Sequence, residues 1–243
     1  MGFTIGGLRE IRELRGAVRR PRRHGRVPGG TAVAAYTGLW GWDVVPGARA
    51  RRATAHGGVV CSCGNASCAA PGAHPLVPGL SIPAGTPLDE AMEAWAAAWA
   101  RGRGATVLLP TGLRFDVIEV PEAAGRRALL TLERMGLPLG PVALAPHGRA
   151  WFLVAPGAAA RLPELLYRTG WDDTRLDLRG LGPGRHITAP PCDHGGRGQV
   201  GWLRPPEVAT AADPPPARLL LGALAYATAG VARSDRGAGL RVS

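Results

Sequence analysis

The spacing of apolar residues divides most of the chain into short helices and short strands. Leu88, Met92, Trp95 and Trp99 recur every three or four residues, so they form one face of a predicted helix that Thr86 precedes as an N-cap. The other predicted helices are 31–39, 122–135, 162–168 and 216–229, and the predicted strands are 42–45, 105–109, 115–120, 142–145, 150–154, 175–179, 186–189 and 200–203. Because hairpins interrupt any strict alternation of strands and helices, the pattern predicts a mixed α+β domain.

Residues 46–85 show no such period and are rich in Gly, Pro, Cys and His. A loop of this length is unusual in a compact domain unless something orders it. Within it, Cys61, Cys63, Cys68 and His74 follow the spacing C-x-C-x4-C-x5-H. Three thiolates and one imidazole complete the tetrahedral shell of Zn²⁺ and leave no position for water, so the spacing predicts a structural zinc site rather than a catalytic one.

Two alternatives to the zinc site are free thiols and one local disulfide. His56 could also compete with His74 as the nitrogen ligand, whereas Cys192 is remote in the sequence and is predicted to be an ordinary thiol. The close spacing of the ligands favours the metal over both alternatives. Gly64 and Gly72 would allow the tight turns that the short spacing requires.

The charge of the chain favours a partner that carries phosphate. The formal net charge is +11, and all 29 basic residues are arginine, whose guanidinium matches phosphate oxygens with two hydrogen bonds. A GC-rich genome would give the same arginine bias without any selection for binding, so composition alone leaves both readings open. No run of apolar residues reaches the length of a membrane span, and no secretory signal is evident, so a cytoplasmic protein without a membrane partner is expected.

Residues 1–30 contain eight arginines and two glutamates and are predicted to form a disordered basic arm. Arg19, Arg20, Arg22 and Arg23 could hold a nucleic-acid backbone, or the arm could be only a solvated tail. The folded domain is predicted to span residues 31–230, with the zinc loop at 56–80 and a flexible tail at 231–243.

Motifs for several common activities are absent from the sequence, including the P-loop, the Rossmann fingerprint and the G-x-S-x-G elbow. Acidic residues on predicted strands remain as candidates. Asp116 and Glu119 are three residues apart, so a regular strand would point them to opposite faces. Asp177 and Arg179 are two apart and share a face, either as part of a site or as a surface ion pair.

The order of these features resembles the bifunctional DNA primase/polymerase N-terminal domain of the archaeo-eukaryotic primase superfamily, in a form similar to short actinobacterial proteins with degenerate catalytic motifs. The stretches that carry the resemblance are 41–46, 61–75, 112–125, 145–154 and 176–191. The resemblance implies an RRM-like mixed sheet flanked by helices, with the zinc loop inserted. It also implies template-directed transfer of nucleotides with two Mg²⁺ or Mn²⁺ ions, on single-stranded or primer–template DNA, with a replication or helicase protein as a possible partner.

The metal-binding acids of that family are only partly matched. Glu119 falls on the first acid and Asp177 on the third, but Pro121 falls on the second. Asp116 could substitute for the missing ligand only if the strand bulged. Losing one bridging carboxylate from a two-metal site removes most of the rate, so the resemblance implies a weak or lost activity.

The nucleotide-binding positions of the family are also altered. His147 and Trp151 occupy the places of its serine and histidine, while Arg149 and Arg179 would face phosphates. Three hypotheses therefore follow: a DNA primase/polymerase with weak or lost activity, a non-catalytic zinc-containing nucleic-acid-binding protein of the same fold, and a zinc-stabilised module that binds another protein.

Overall fold

The computed structural model describes residues 29–52, 58–101, 104–171 and 175–238, with side chains described as far as residue 229. The helices are α1 (Gly30–Ala34, continued by a π-helix at Ala35–Leu39), α2 (Leu88–Arg101), α3 (Glu122–Arg134), α4 (Leu162–Arg168), α5 (Val208–Ala212) and α6 (Leu221–Ala238), with a 3-10 turn at Ala217–Leu219. The strands are β1 (Val45–Gly47), β2 (Ala50–Arg52), β3 (Val59–Cys61), β4 (Thr106–Pro110), β5 (Asp116–Pro121), β6 (Val142–Ala145), β7 (Arg149–Val154), β8 (Arg179–Leu181), β9 (His186–Thr188) and β10 (Gly201–Arg204).

Five antiparallel strands form the central sheet, in the order β10-β6-β7-β5-β8. The run β5-α3-β6-β7-α4-β8 is a split βαβ arrangement, in which the first strand of the run lies between the last two. Helix α3 starts at Glu122, directly after β5 ends, so the chain leaves the sheet without a loop. It ends before Gly136, which adopts φ +63° and makes the left-handed turn that glycine allows.

Each face of this sheet supports its own hydrophobic core, because side chains alternate along a strand. Val117, Trp151 and Leu153 point to one side, where they join a core that includes α1, α2 and a three-stranded sheet of order β1-β4-β9. Ile118 and Phe152 point to the other side, against α3, α4 and α6. The central sheet is therefore a layer between two cores.

The predicted hairpin at 142–154 is confirmed as β6 and β7, and the predicted helix at 122–135 is confirmed as α3. Three details differ. The segment 46–85 contains the two-stranded sheet β2-β3 and is not a loop throughout. The strand predicted at 175–179 begins only at Arg179, and the C-terminal helix begins at Leu221, after the run of prolines at 214–216.

The predicted basic arm lies outside the described residues, apart from Gly29 and Gly30. Its arginines at 19, 20, 22 and 23 therefore stay a sequence prediction, as does His56. Within the described ranges, no helix is both long enough and apolar enough to cross a bilayer.

Candidate functional site

The four predicted zinc ligands lie together. The ligand atoms of Cys61, Cys63, Cys68 and His74 are all within 4.8 Å of one another, and the Cys61 Sγ atom is 3.4 Å from His74 Nε2. His74 Nδ1 donates a hydrogen bond to the carbonyl of Pro75 at 2.8 Å. Because a carbonyl can only accept, Nδ1 carries the proton and Nε2 has a free lone pair for a metal.

Backbone contacts with the segment 46–50 hold this cluster in place. Cys61 ends β3 and pairs with Ala50, while Ala48 donates to the carbonyl of His74 at 2.8 Å. Gly72 adopts φ +70°, and a Cβ there would lie 2.7 Å from the Ala50 nitrogen. The turn that delivers His74 therefore requires glycine both for its conformation and for the close approach of the two chains.

The electrostatics of the cluster favour a thiolate. Burial raises the pKa of the Cys61 thiol. The backbone N–H groups of Cys63 and Gly72 and the contact with the His74 ring have a larger, opposite effect and lower this pKa to about 6. Thiolate, not thiol, is the form that binds metal. The four residues thus have the chemistry and the proximity to hold one metal ion such as Zn²⁺.

A second group of side chains lies on the central sheet and contains the two candidate acids, Glu119 and Asp177. Arg149 donates two hydrogen bonds to Asp177, from Nη1 to Oδ2 at 2.6 Å and from Nη2 to Oδ1 at 2.9 Å. Its Nε lies 3.2 Å from Glu119 Oε1, and both of these side chains are almost buried, at 14% and 13% exposure. One guanidinium therefore bridges Glu119 and Asp177.

The remaining oxygen of Glu119 is also occupied, because Trp151 donates its indole N–H to Oε2 at 2.9 Å. The hydrogen bonds from Arg149 lower the pKa of Asp177, against the smaller, opposing effect of its partial burial. Three of the four carboxylate oxygens of the pair thus accept a hydrogen bond, and the fourth, Glu119 Oε1, forms an ion pair with Arg149. A divalent catalytic ion needs open carboxylate oxygens in that position, so the arrangement of these residues does not fit one.

Two histidines and Trp151 form an aromatic cluster beside this arginine bridge. The rings of His147 and His194 stack with centroids 4.8 Å apart, and the Trp151 ring meets His194 edge-on at 5.6 Å. His194 Nδ1 lies 2.8 Å from the hydroxyl of Thr188. Burial, then the charges of His147 and Arg197, lower the pKa of His194 to about 4, so its ring is neutral at physiological pH.

Asp116 lies on the opposite face of β5 from Glu119, as the spacing predicts. Its side chain is fully buried against the second core, and Oδ2 accepts a hydrogen bond from the Ala159 nitrogen at 2.8 Å. Oδ1 has no partner among the described residues. The structure therefore does not bring Asp116 together with Glu119 and Asp177.

The other predicted phosphate-binding residues lie near the bridge. Arg179 sits opposite Glu119 in the β5–β8 register and is exposed, and His147 occupies the β6–β7 turn. Sequence reasoning missed His194, Thr188 and Arg197. The only available signal was the position of His194 and Arg197 in a glycine-rich turn, where the carboxylate of Asp193 accepts from two backbone nitrogens.

These features define a mixed α+β protein with a three-cysteine, one-histidine cluster and an acidic pair on its central sheet. The chain belongs to the bifunctional DNA primase/polymerase family, whose N-terminal domain matches residues 33–217. No curated protein and no solved structure matches the chain. Membership confirms the resemblance in the sequence, and it places the chain in a family of primase/polymerase-type nucleotidyltransferases that bind nucleic acid and nucleotides.

Proposed function

We propose that this protein is a DNA primase/polymerase-like domain that binds nucleic acid and nucleotides, and in which two-metal nucleotidyl transfer is weak or lost. The observation that carries the proposal is the guanidinium of Arg149 between Glu119 and Asp177. In a two-metal site the carboxylates hold cations that stabilise the charge of the reacting phosphate. Here the cation between the acids is a fixed side chain, and it cannot coordinate phosphate oxygens as a metal does.

Binding itself is supported by the fold and by the remaining charges. The strand order β6-β7-β5-β8, with α3 and α4 as crossovers on one face, is that expected of an RRM-like sheet. Arg179 lies opposite Glu119 in the β5–β8 pair, and Arg197 lies near His147 and His194. No carboxylate among the described residues forms an ion pair with either arginine. Free guanidinium groups beside an aromatic cluster suit a phosphate backbone and its bases.

We further propose that the metal in the cysteine cluster is Zn²⁺ and that its role is structural. All four ligands come from the protein, so no position stays open for a substrate or an activated water. The domain boundaries at 31 and 230, the basic arm, and a replication or helicase partner remain predictions from the sequence.

Primer extension tests the proposal directly. The purified protein would be assayed on a DNA primer–template with Mg²⁺ and with Mn²⁺, beside the double variant Glu119→Ala, Asp177→Ala. We expect little or no extension under conditions in which the wild-type protein binds the template. Binding should weaken steeply as salt rises, because contacts with phosphate release counterions.

The alternative is a working polymerase whose metal site assembles only with substrate. It predicts robust extension by the wild-type protein that the double variant abolishes. That result would show that Arg149 leaves the acids when a nucleotide and metal bind. Absence of any binding to DNA would instead contradict both readings and favour a module that binds protein.

A further inference from the structure

A cavity of about 660 Å³ is lined in part by residues 190–193 and Gln199. The wall is formed by α1 and its π-helical continuation, the end of α2, the start of β4 and strand β10. It includes four aromatic rings: Tyr36, Trp40, Trp99 and Trp202. Neither Glu119 nor Asp177 lines it. The volume lies in the range of sites that enclose small organic ligands.

The polar groups of the wall are mainly hydrogen-bond donors. The indole N–H groups of Trp40, Trp99 and Trp202 and the guanidinium of Arg49 make no hydrogen bond or ion pair with any residue that the structure describes. By contrast, the indoles of Trp42 and Trp151 each donate, to the Ala211 carbonyl and to Glu119. Among the described residues, the indole donors of Trp40, Trp99 and Trp202 are therefore open to an occupant of the cavity.

Several acceptors in the wall are already used. Thr106 donates to the carbonyl of Asp193 at 3.4 Å, and the carboxylate of Asp193 accepts from Gly196 and Gly198 at 2.6 and 3.0 Å. The Tyr36 hydroxyl donates to the carbonyl of Pro190. An occupant of this cavity would thus meet aromatic rings, the indole donors and the Arg49 guanidinium.

Arg49 and Trp99 lie next to each other at one end. A Cβ on Gly104 would be 3.3 Å from both Arg49 Cδ and Arg49 NH1 and 3.6 Å from the Trp99 ring. A cation close to an aromatic ring suits a ligand that combines a planar ring with an anionic group. Nucleobases have the required ring and carbonyl or ring-nitrogen acceptors, and phosphate has the required charge.

We propose that this cavity is a second nucleotide-binding site, separate from the acidic pair, in which the tryptophans contact a nucleobase and Arg49 contacts its phosphate. The same chemistry is offered by a free mononucleotide and by one nucleotide of a single strand. The site goes beyond the proposed function, since nothing in it depends on Glu119, Arg149 or Asp177.

The seven indole N–H signals in a ¹H–¹⁵N correlation spectrum provide the test, because both candidate sites contain tryptophan. Adenosine monophosphate, adenosine, inorganic phosphate and a short deoxyoligonucleotide would be titrated separately. We expect the monophosphate to move the signals of Trp40, Trp99 and Trp202 and to leave that of Trp151 in place. A free nucleotide site saturates with the monophosphate, whereas a strand site binds the oligonucleotide at least tenfold more tightly.

Substitutions then assign the two halves of the ligand. Arg49→Gln should weaken the binding of the monophosphate about tenfold and leave the binding of adenosine unchanged. The control Arg134→Gln, which replaces an exposed arginine on α3, should change the affinity for neither ligand. Trp99→Leu should weaken the binding of both ligands, whereas the matched control Trp171→Leu, outside the cavity, should not. Movement of the Trp151 signal alone would assign binding to the acidic pair on the central sheet and overturn the proposal. So would the absence of any signal movement at millimolar ligand, or an affinity for the monophosphate that Arg49→Gln leaves unchanged.

Discussion

Arg149 binds Asp177 through two parallel hydrogen bonds of 2.6 and 2.9 Å, although the Asp177 side chain is 52% exposed. Most surface ion pairs are mobile and contribute little. This pair is different because the guanidinium is itself almost buried and is also held by Glu119. The bridge therefore acts as a fixed part of the sheet, not as a surface contact.

Removing the guanidinium should destabilise the fold. Arg149→Met keeps much of the side-chain volume but leaves the nearly buried Glu119 without its cation. We expect the free energy of unfolding to fall by about 2 kcal/mol, between the values for exposed and for fully buried pairs. Arg161→Met, which removes an exposed partner of Glu164, is the matched control. In denaturant titrations it should change the free energy of unfolding by less than about 0.5 kcal/mol. Equal effects of the two would contradict a structural role for the bridge.

The same variant should gain affinity for divalent cations. With Arg149 gone, Asp177 loses two hydrogen bonds and Glu119 loses its ion-pair partner, so the two carboxylates repel each other unless a cation binds. Mn²⁺ should therefore raise the melting temperature of Arg149→Met by several degrees and leave that of the wild-type protein nearly unchanged. Adding Asp177→Ala to the variant should abolish the Mn²⁺ effect. A similar response in the wild-type protein would show that the bridge already opens for metal.

Metal analysis should give one Zn²⁺ per chain. Cys61→Ser should lose the metal, since Cys61 has the lowered pKa of about 6 and the contact with His74. Cys192→Ser should keep it, because Cys192 is not part of the cluster and burial raises the pKa of its thiol. A chelator should lower the melting temperature of the wild-type protein to that of Cys61→Ser. Retention of a full equivalent by Cys61→Ser would contradict the four-ligand site.

How far the sequence predicts this molecule depends on how local each feature is. The zinc ligands lie within fourteen residues, and the hairpin at 142–154 is set by its own apolar alternation and by Gly148, so both were predictable. The bridge was not, because Asp177 and Arg149 are 28 residues apart and the pair forms only when β8 docks beside β5. His194 likewise reaches His147 only through tertiary packing.

Two glycines of the zinc loop allow the energetic cost of backbone strain to be compared with the cost of steric contact. Gly64 and Gly72 both have positive φ, at +78° and +70°, so alanine at either should cost about 1 kcal/mol through the backbone alone. A Cβ on Gly64 would meet no described atom within 4 Å, whereas one on Gly72 would lie 2.7 Å from the Ala50 Cβ and nitrogen. Gly72→Ala should therefore be the more destabilising by about 1–3 kcal/mol, measured on the zinc-loaded protein. Equal costs would show that the loop moves away from β2.

The neutral His194 predicts a specific loss of stability in mild acid. Its pKa is lowered to about 4 by burial first and by the charges of His147 and Arg197 next, while Asp193 and Glu119 oppose the shift. Between pH 6.5 and about 4 the unfolded chain binds the proton and the folded chain does not, so the free energy of unfolding falls as pH is lowered through that window.

The contribution of His194 should be on the order of 2 kcal/mol once its partial exposure is taken into account. His194→Gln removes the titration and should flatten the pH dependence above pH 4. The flattening should be incomplete, because the pKa values of His147 and His186 are also lowered. Asp177 acts in a different window: its pKa lies below 3.8, so the stability from its pairing is present above that value and is lost only at lower pH. A pH profile that His194→Gln leaves unchanged between pH 6.5 and 4 would show that this ring binds its proton at the same pH in the folded and the unfolded protein.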